Sequence, residues 1–279
     1  MILVTGATAH FGRQTVETLA AAGHPVRALT RAPDKAGLPP QAEVVAGDLA
    51  REDGLAPALD GVTGVFLVLP YRMDPAPFLR AARRAGVERI VFLSSGAVVD
   101  GADAQPDVIA AYHHGVERAI VASGFRWTFL RIFFPAVNSL SLAMQLQGGD
   151  VVRAPYGGAA SAPVHELDVA EAAARVLTAG GHDGRVHDLT GPQSLTQADQ
   201  VRVLGEALDR PLAFEELDAG PVRRRMARFM DADFVNALFD LMAGTVGRPA
   251  EVNTVVEQIT GRPARTYATW AADHVADFR

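Results

Sequence analysis

Residues 1–31, MILVTGATAHFGRQTVETLAAAGHPVRALTR, read as strand, tight glycine turn, helix and strand. Met1–Val4 is a short apolar run. Gly6 and Gly12 bracket a turn, and Val16, Leu19 and Ala20 then recur at helical spacing between Arg13 and Ala22. Gly23 suits a left-handed stop just past that helix. Pro25–Leu29 is apolar again and fits a second buried parallel strand. A turn of this kind leaves the first helical N–H groups unpaired at the positive end of the helix dipole, an arrangement that suits a phosphate. Gly6, Ala9 and Gly12 hold the spacing G-x-x-G-x-x-G with alanine in the middle, so the unit is expected to grip a dinucleotide. The second strand ends in Thr30-Arg31, where an NAD site places an acidic residue for the ribose. A forked guanidinium there suits a 2′-phosphate, which predicts NADP over NAD. Arg31 as a solvated strand-end charge is the plainer reading.

Further on, apolar runs alternate with helical patterns. Ala42–Ala46 is a third strand, ending in Gly47-Asp48-Leu49. Asp48 and Leu49 either border an adenine ring or open the next helix. Val62–Leu69 carries no charge and reads as a fourth strand buried on both faces, ending at Pro70 and Tyr71. Pro75–Ala85 is a helix with proline in its first turn. Arg89–Leu93 is a fifth strand running into Ser94-Ser95-Gly96, a pair that either faces the nicotinamide half of a cofactor or forms a turn. Ile109–Ser123 is a helix and Trp127–Phe134 a sixth strand. This alternation predicts an α/β fold, a doubly wound parallel sheet of Rossmann type with right-handed crossovers.

The texture then changes. Leu140–Gln147 suggests a short helix, and 148–163 a loop-rich stretch with a hairpin. Asp168 and Glu171 resemble a capping box. Arg185–Leu189 is a seventh strand, Thr196–Leu208 a helix and Pro211–Glu215 a brief strand. From Pro221 the chain reads as mostly helical, with Met226, Phe229, Met230, Phe234 and Leu238 as apolar faces. The expected division is a nucleotide-binding core over 1–137 and a smaller, mostly helical lobe over 138–279 that shapes a substrate pocket and returns segments to the sheet.

Composition narrows the partners. The 279 residues are 49% hydrophobic and carry a net charge of −6, with a pI near 5.7, so no basic footprint invites nucleic acid. Without cysteine there is no disulfide, thiolate-zinc site or thiol nucleophile. No apolar run approaches the roughly 20 residues of a membrane span, and no targeting peptide precedes the first strand, so a cytoplasmic monomer or homodimer with a small-molecule substrate, and no membrane partner, is expected.

In order along the chain, TGATAHFG, LTR, GDL, the LVLP strand end, the FLSS strand end and HHGVERAIVASGFRWTFLR resemble the NmrA-like, atypical short-chain dehydrogenase/reductase family. The carboxyl end, EVNTVVEQITGRPARTYATWAADHVADF, is similar to members related to festuclavine synthase. The resemblance implies a Rossmann domain with a small carboxyl-terminal lobe, NADP or NAD, and reduction of C=C, C=N or quinone-type groups, as in related quinone and azo reductases. It implies Gly6, Thr8, His10, Phe11 and Gly12 at the pyrophosphate, Arg31 at the 2′-phosphate, and Asp48 and Leu49 at the adenine. Leu69, Pro70 and Ser94 then approach the nicotinamide. Departures are Ala9 for the middle glycine, Ile132 for a proline and Pro135 for a phenylalanine; Asn138 is kept. His113 stands where the family has its ribose-binding lysine, and Ile109 where typical members have a catalytic tyrosine.

The Tyr-x-x-x-Lys pair of carbonyl chemistry is missing, because Val116 lies four residues after Tyr112. Hydride transfer does not require it when the protein holds donor and acceptor in register. His113 is the candidate ribose ligand or proton donor, against an ordinary surface histidine. His113 and His114 point about 100° apart on a helix and do not chelate one metal; no metal site is expected. Tyr71, Phe134, Tyr156 and His165 are pocket-wall candidates or plain packing, and Asn138 joins them as a substrate candidate. Arg223-Arg224-Arg225 reads as a solvated face. Besides reduction, an NADP-sensing regulatory protein without turnover and a cofactor-assisted isomerase or cyclase remain open.

Overall fold

The computed structural model describes residues 1–102 and 104–279. The chain opens with β1 (Ile2–Val4), α1 (His10–Ala21), β2 (Val26–Thr30), β3 (Glu43–Ala46), α2 (Ala56–Leu59), β4 (Gly64–Leu67), α3 (Ala76–Arg84), β5 (Arg89–Ser95), α4 (Val108–Ala122) and β6 (Arg126–Ile132). It continues through α5 (Ala143–Leu146), β7 (Val151–Ala154), β8 (Ala160–Ser161), α6 (Glu166–Thr178), β9 (Arg185–Leu189), β10 (Leu195–Thr196), α7 (Gln197–Ala207) and β11 (Ala213–Glu216). Helices α8 (Ala219–Met226), α9 (Ala232–Thr245), α10 (Val255–Thr260) and α11 (Tyr267–Asp273) complete it.

Seven strands form a parallel sheet in the order β3-β2-β1-β4-β5-β6-β9. The order reverses beside β1, which places a crevice for a ligand over the carboxyl ends of the strands. Both faces are covered, so the central strands are apolar throughout. On one face Val4, Phe66, Val91 and Leu130 pack with Val16 and Leu19 of α1 and Val169 and Ala173 of α6. On the other, Leu3, Val65, Leu67 and Phe92 pack with Phe78 and Leu79 of α3 and Val116 and Ile120 of α4. A third cluster, around Tyr267, Trp270, Val201, Leu204 and Val152, holds the rest of the chain together.

Residues past 138 contribute both β9, at the edge of the main sheet, and α6, beneath it. The smaller lobe consists of the parallel pair β7–β11 and the antiparallel pair β8–β10 with the surrounding helices. The expected hairpin within 148–163 does not form, because β7 and β8 each pair with a strand at least 34 residues away (Ser161 with Leu195). A 3-10 turn, Ala136–Leu142, precedes α5 where one helix was expected.

Asp168 and Glu171 are not a capping box. The cap of α6 is His165, whose Nδ1 accepts from the Leu167 amide at 3.1 Å. Asp168 instead accepts the Arg265 amide at 2.7 Å, and Glu171 receives both Arg265 Nη atoms at 3.0 Å. The expected apolar face at 226–238 is only partly realised: Phe229 is 83% exposed and Met230 45%.

Helix α9 defines the roof of the crevice. Near its start, Phe234 lies 4.9 Å from the Tyr71 ring, just past β4, and Asp231 pairs with Arg72. Just past its end, Val246 bridges to Ala159 beside β8.

Candidate active site

The turn after β1 is shaped by contact. Gly6 has φ of +60°, a left-handed conformation that glycine adopts without strain. A Cβ on Gly12 would fall 2.6 Å from the Gly6 carbonyl carbon and 2.9 Å from the Ala7 nitrogen, so only glycine lets α1 seat on the turn. Helix α1 begins at His10, three residues before the sequence pattern suggests, because the turn itself supplies its first residues. Its cap, Ala9, offers no side-chain acceptor, and no acidic residue occupies the first turn. Among the described residues the His10, Phe11 and Gly12 amides donate to no protein group. These amides at the positive end of a 12-residue helix fit a pyrophosphate.

The sequence did not single out Thr5, which braces this turn. Its hydroxyl donates to the Val68 carbonyl at 2.9 Å and accepts the Val68 amide at 2.7 Å, tying β1 to the end of β4. Leu69 and Pro70 follow directly. Arg31, at the end of β2, is exposed and makes no side-chain hydrogen bond or ion pair among the described residues. Asp48 accepts the Ala50 amide at 3.0 Å and Leu49 is buried at the end of β3. Gly6, Thr8, His10, Phe11, Gly12, Arg31, Asp48, Leu49, Leu69 and Pro70 thus lie along the carboxyl ends of β3, β2, β1 and β4.

Helix α4 closes the other end. Its cap is Asp107, which accepts the Ile109 and Ala110 amides. His113 Nδ1 lies 2.8 Å from the Ile109 carbonyl, which can only accept, so Nδ1 carries the proton and Nε2 bears a lone pair. Burial lowers the His113 pKa, which favours the neutral ring. A neutral ring with Nε2 free accepts a hydrogen bond, as a ribose hydroxyl offers, and has no proton to give from Nε2. The geometry therefore opposes the proton-donor role considered for His113. Tyr112 is no relay either: its hydroxyl donates to the Pro70 and Met73 carbonyls, and burial pushes its pKa up to about 12.

Ser94 departs from its expected place. It is 2% exposed, and its hydroxyl donates to Glu117 Oε1 at 2.6 Å rather than opening toward the crevice. Glu117 also receives Arg131 through Nε at 2.9 Å and Nη2 at 2.7 Å, a fork between two residues that are each 4% exposed. Arg131 Nη2 reaches on to Asp100 at 2.8 Å, and that bond holds the Asp100 carboxyl below its usual pKa. Burial works against the Arg131 charge, but the two carboxylates more than offset it and its pKa is raised. This clamp ties α4 to β5 and β6.

Two adjacent cavities lie under α9. The larger, about 710 Å³, begins at Gly96 and Phe133 beyond β5 and β6 and runs past β9 to Arg248, Asn253 and Gln258. The smaller, about 230 Å³, holds Asn138, Gln200 and Met242. Phe134, Ala160, Ser161 and Thr245 line both. A Cβ on Gly96 would lie 2.5 Å from Phe133 Cε2, so this ring is seated directly on the end of β5. Of the substrate candidates, Phe134 and Asn138 reach a cavity. Tyr71 and Tyr156 line neither. Tyr71 is packed between Tyr112 and Phe234, at 5.2 and 4.9 Å. Tyr156 lies edge-on to Phe239, its backbone held by Glu216 and Gln197. His165 is spent on capping α6.

A family described as NAD(P)H-binding matches residues 6–180, the turn, both crevice walls and α6 included. The chain belongs to that family. A Streptomyces griseus enzyme, (4-alkanoyl-5-oxo-2,5-dihydrofuran-3-yl)methyl phosphate reductase, is 39% identical over 282 residues, covering 100% of this chain and 99% of its own. The NAD(P)H azoreductase of Xenophilus azovorans is 32% identical over 292 residues, with 100% and 99% covered. The structure of an NADPH-dependent quinone oxidoreductase from Escherichia coli superposes with a TM-score of 0.79 at 26% identity, covering 98% of this chain and 99% of the other. The protein is therefore an NAD(P)H-dependent oxidoreductase with a Rossmann-type fold, in agreement with the resemblance drawn from its motifs. No helix among the described residues is long and apolar enough to cross a membrane.

Proposed function

We propose that this reductase uses NADPH to reduce a polarised C=C bond, or the equivalent quinone, in a small conjugated acceptor. The observation that carries the reading is the 710 Å³ cavity beginning at the end of β5, apolar at Gly96, Phe133 and Phe134 and polar at its far end. An electron-poor ring suits the first part and its oxygen substituents the second. The Streptomyces griseus relative, named for a 5-oxo-2,5-dihydrofuran with an alkanoyl group, supports a conjugated C=C acceptor.

When bound, NADPH supplies the hydride; the chain supplies register. The His10, Phe11 and Gly12 amides would hold the pyrophosphate, Arg31 would pair with the 2′-phosphate, and Leu69 and Pro70 would form the wall on the nicotinamide side. His113 Nε2 would accept a hydrogen bond from a ribose hydroxyl. Phe133 and Phe134 wall the acceptor and keep water from its inner face. With the Tyr112 phenol held by two carbonyls, the His113 Nδ1 proton held by the Ile109 carbonyl and Nε2 unprotonated, the proton that completes reduction of an enone comes from solvent.

Loss of NADPH absorbance against a panel of quinones, acyl-substituted unsaturated lactones and imines tests this. Turnover of the first two classes is expected. No turnover of any of them, with NADPH binding shown by calorimetry, would reject the proposed reaction.

A further inference from the structure

The arginine-rich segment and the exposed aromatic that the reductase reading leaves unused occur together. Residues 219–230, AGPVRRRMARFM, hold four arginines and no acidic residue in a chain whose net charge is −6. Arg223 is engaged by Asn236 and Asp240. Arg224, Arg225 and Arg228 are exposed and make no side-chain hydrogen bond or ion pair among the described residues. Directly after them, at the corner between α8 and α9, Phe229 is 83% exposed and Met230 45%. The acid that follows, Asp231, is taken by Arg72.

We propose that this corner is a contact surface for an anionic lipid bilayer, with Phe229 and Met230 entering the headgroup boundary and Arg224, Arg225 and Arg228 meeting lipid phosphates. Apolar side chains beside exposed basic ones are the pattern that binds such a surface, each arginine adding attraction within a Debye length. A soluble anion would engage the arginines and leave Phe229 and Met230 in water. A second copy of the chain docking through the same corner would set two arginine clusters against each other. The contact is peripheral, so the lack of a membrane-spanning helix does not bear on it. It departs from the expectation of no membrane partner, which rested on the lack of an apolar run long enough to span a bilayer. The corner sits beside Tyr71 and Arg72, past the carboxyl end of β4, where the cofactor crevice opens.

Flotation of the full chain with vesicles of phosphatidylglycerol and phosphatidylcholine, against vesicles of phosphatidylcholine alone, tests the proposal, and it does so independently of turnover. Binding at least tenfold tighter to the anionic vesicles is expected, weakening steeply with salt. R224Q/R225Q/R228Q should abolish the preference for anionic lipid. F229S/M230S should weaken binding severalfold while its far-ultraviolet circular dichroism and melting temperature stay unchanged, which shows that the variant is folded. No flotation at low salt, equal flotation with neutral vesicles, or loss of binding to millimolar inorganic phosphate would overturn it. So would light scattering that shows self-association abolished by the same substitutions.

Discussion

Gly12 carries the tightest single-residue constraint of the turn after β1. Because a Cβ there would meet the Gly6 carbonyl and the Ala7 amide, Gly12→Ala must push α1 off the turn. Overpacking of this kind costs about 1–3 kcal/mol, and here the displacement falls on the amides proposed to hold the pyrophosphate. NADPH affinity by calorimetry should fall more than about tenfold, while the melting temperature changes by only a few degrees. Gly6 and Gly12 were legible in the sequence because their demand is local. Arg31 is the residue proposed to separate the two cofactors. If it pairs with the 2′-phosphate, Arg31→Ala removes a charge-assisted contact of about 2 kcal/mol, so KM for NADPH should rise by roughly thirtyfold and KM for NADH should stay where it was. Equal changes for both cofactors would remove the 2′-phosphate from its role.

At the scale of elements, α4 is held by chemistry rather than by packing alone. Ser94 on β5, Glu117 on α4 and Arg131 on β6 form one buried network. Glu117→Gln keeps the shape but leaves the Arg131 guanidinium with only Asp100, whose side chain is mostly in water. Removing one partner of a buried ion pair costs about 3–5 kcal/mol, and urea unfolding should show a loss in that range. The double change Glu117→Leu with Arg131→Met should cost less than either single change, since neither charge then stays buried alone. The same scale shows where sequence reading stops. The strand–helix alternation through β6 is visible because each element encodes its own periodicity, and most boundaries fall within two residues of the expected ones. Glu117 looks like any helical surface acid until β5 and β6 are beside it. Asp168 and Glu171 have the spacing of a cap, yet their partner Arg265 is 94 or more residues away. In the smaller lobe only β11 was visible as a strand; β7 and β8 showed only as a hairpin within 148–163 and β10 not at all, because pairing of two- and four-residue strands depends on contacts far along the chain.

For the molecule as a whole, the last residues are fastened by a charge that depends on pH. His274, just after α11, places Nε2 2.6 Å from Glu166 Oε1 and Nδ1 2.7 Å from Asp277 Oδ2. Two carboxylates on one ring favour the imidazolium, and the Trp270 ring stacks on it at 4.7 Å. Burial opposes the charge, but Asp277 and Glu166 outweigh it and the His274 pKa is raised above the ordinary histidine value of 6.5. Glu166 is 2% exposed, and its second oxygen has no hydrogen-bond partner; His165 Nδ1, 3.4 Å away, is occupied with the α6 cap. His165 Nε2 faces Asp273 from the other side, at 3.3 Å. A group whose folded pKa is raised binds its proton more tightly in the native state, so its contribution is complete below pH 6.5 and disappears as pH climbs through the folded value. Above that value His274 is neutral and the charge on its side of the Glu166 and Asp277 contacts is gone. Since α6 carries Glu166 at its start and packs along α1, this latch joins the carboxyl-terminal segment to the layer that supports the cofactor turn. His274→Gln should therefore lower the melting temperature at pH 6, by a loss on the order of 2 kcal/mol for hydrogen bonds to charged groups. The gap from the unsubstituted protein should narrow steadily toward pH 9. A gap that stays constant between those limits would mean that His274 is held neutral and that the latch is only a pair of ordinary hydrogen bonds.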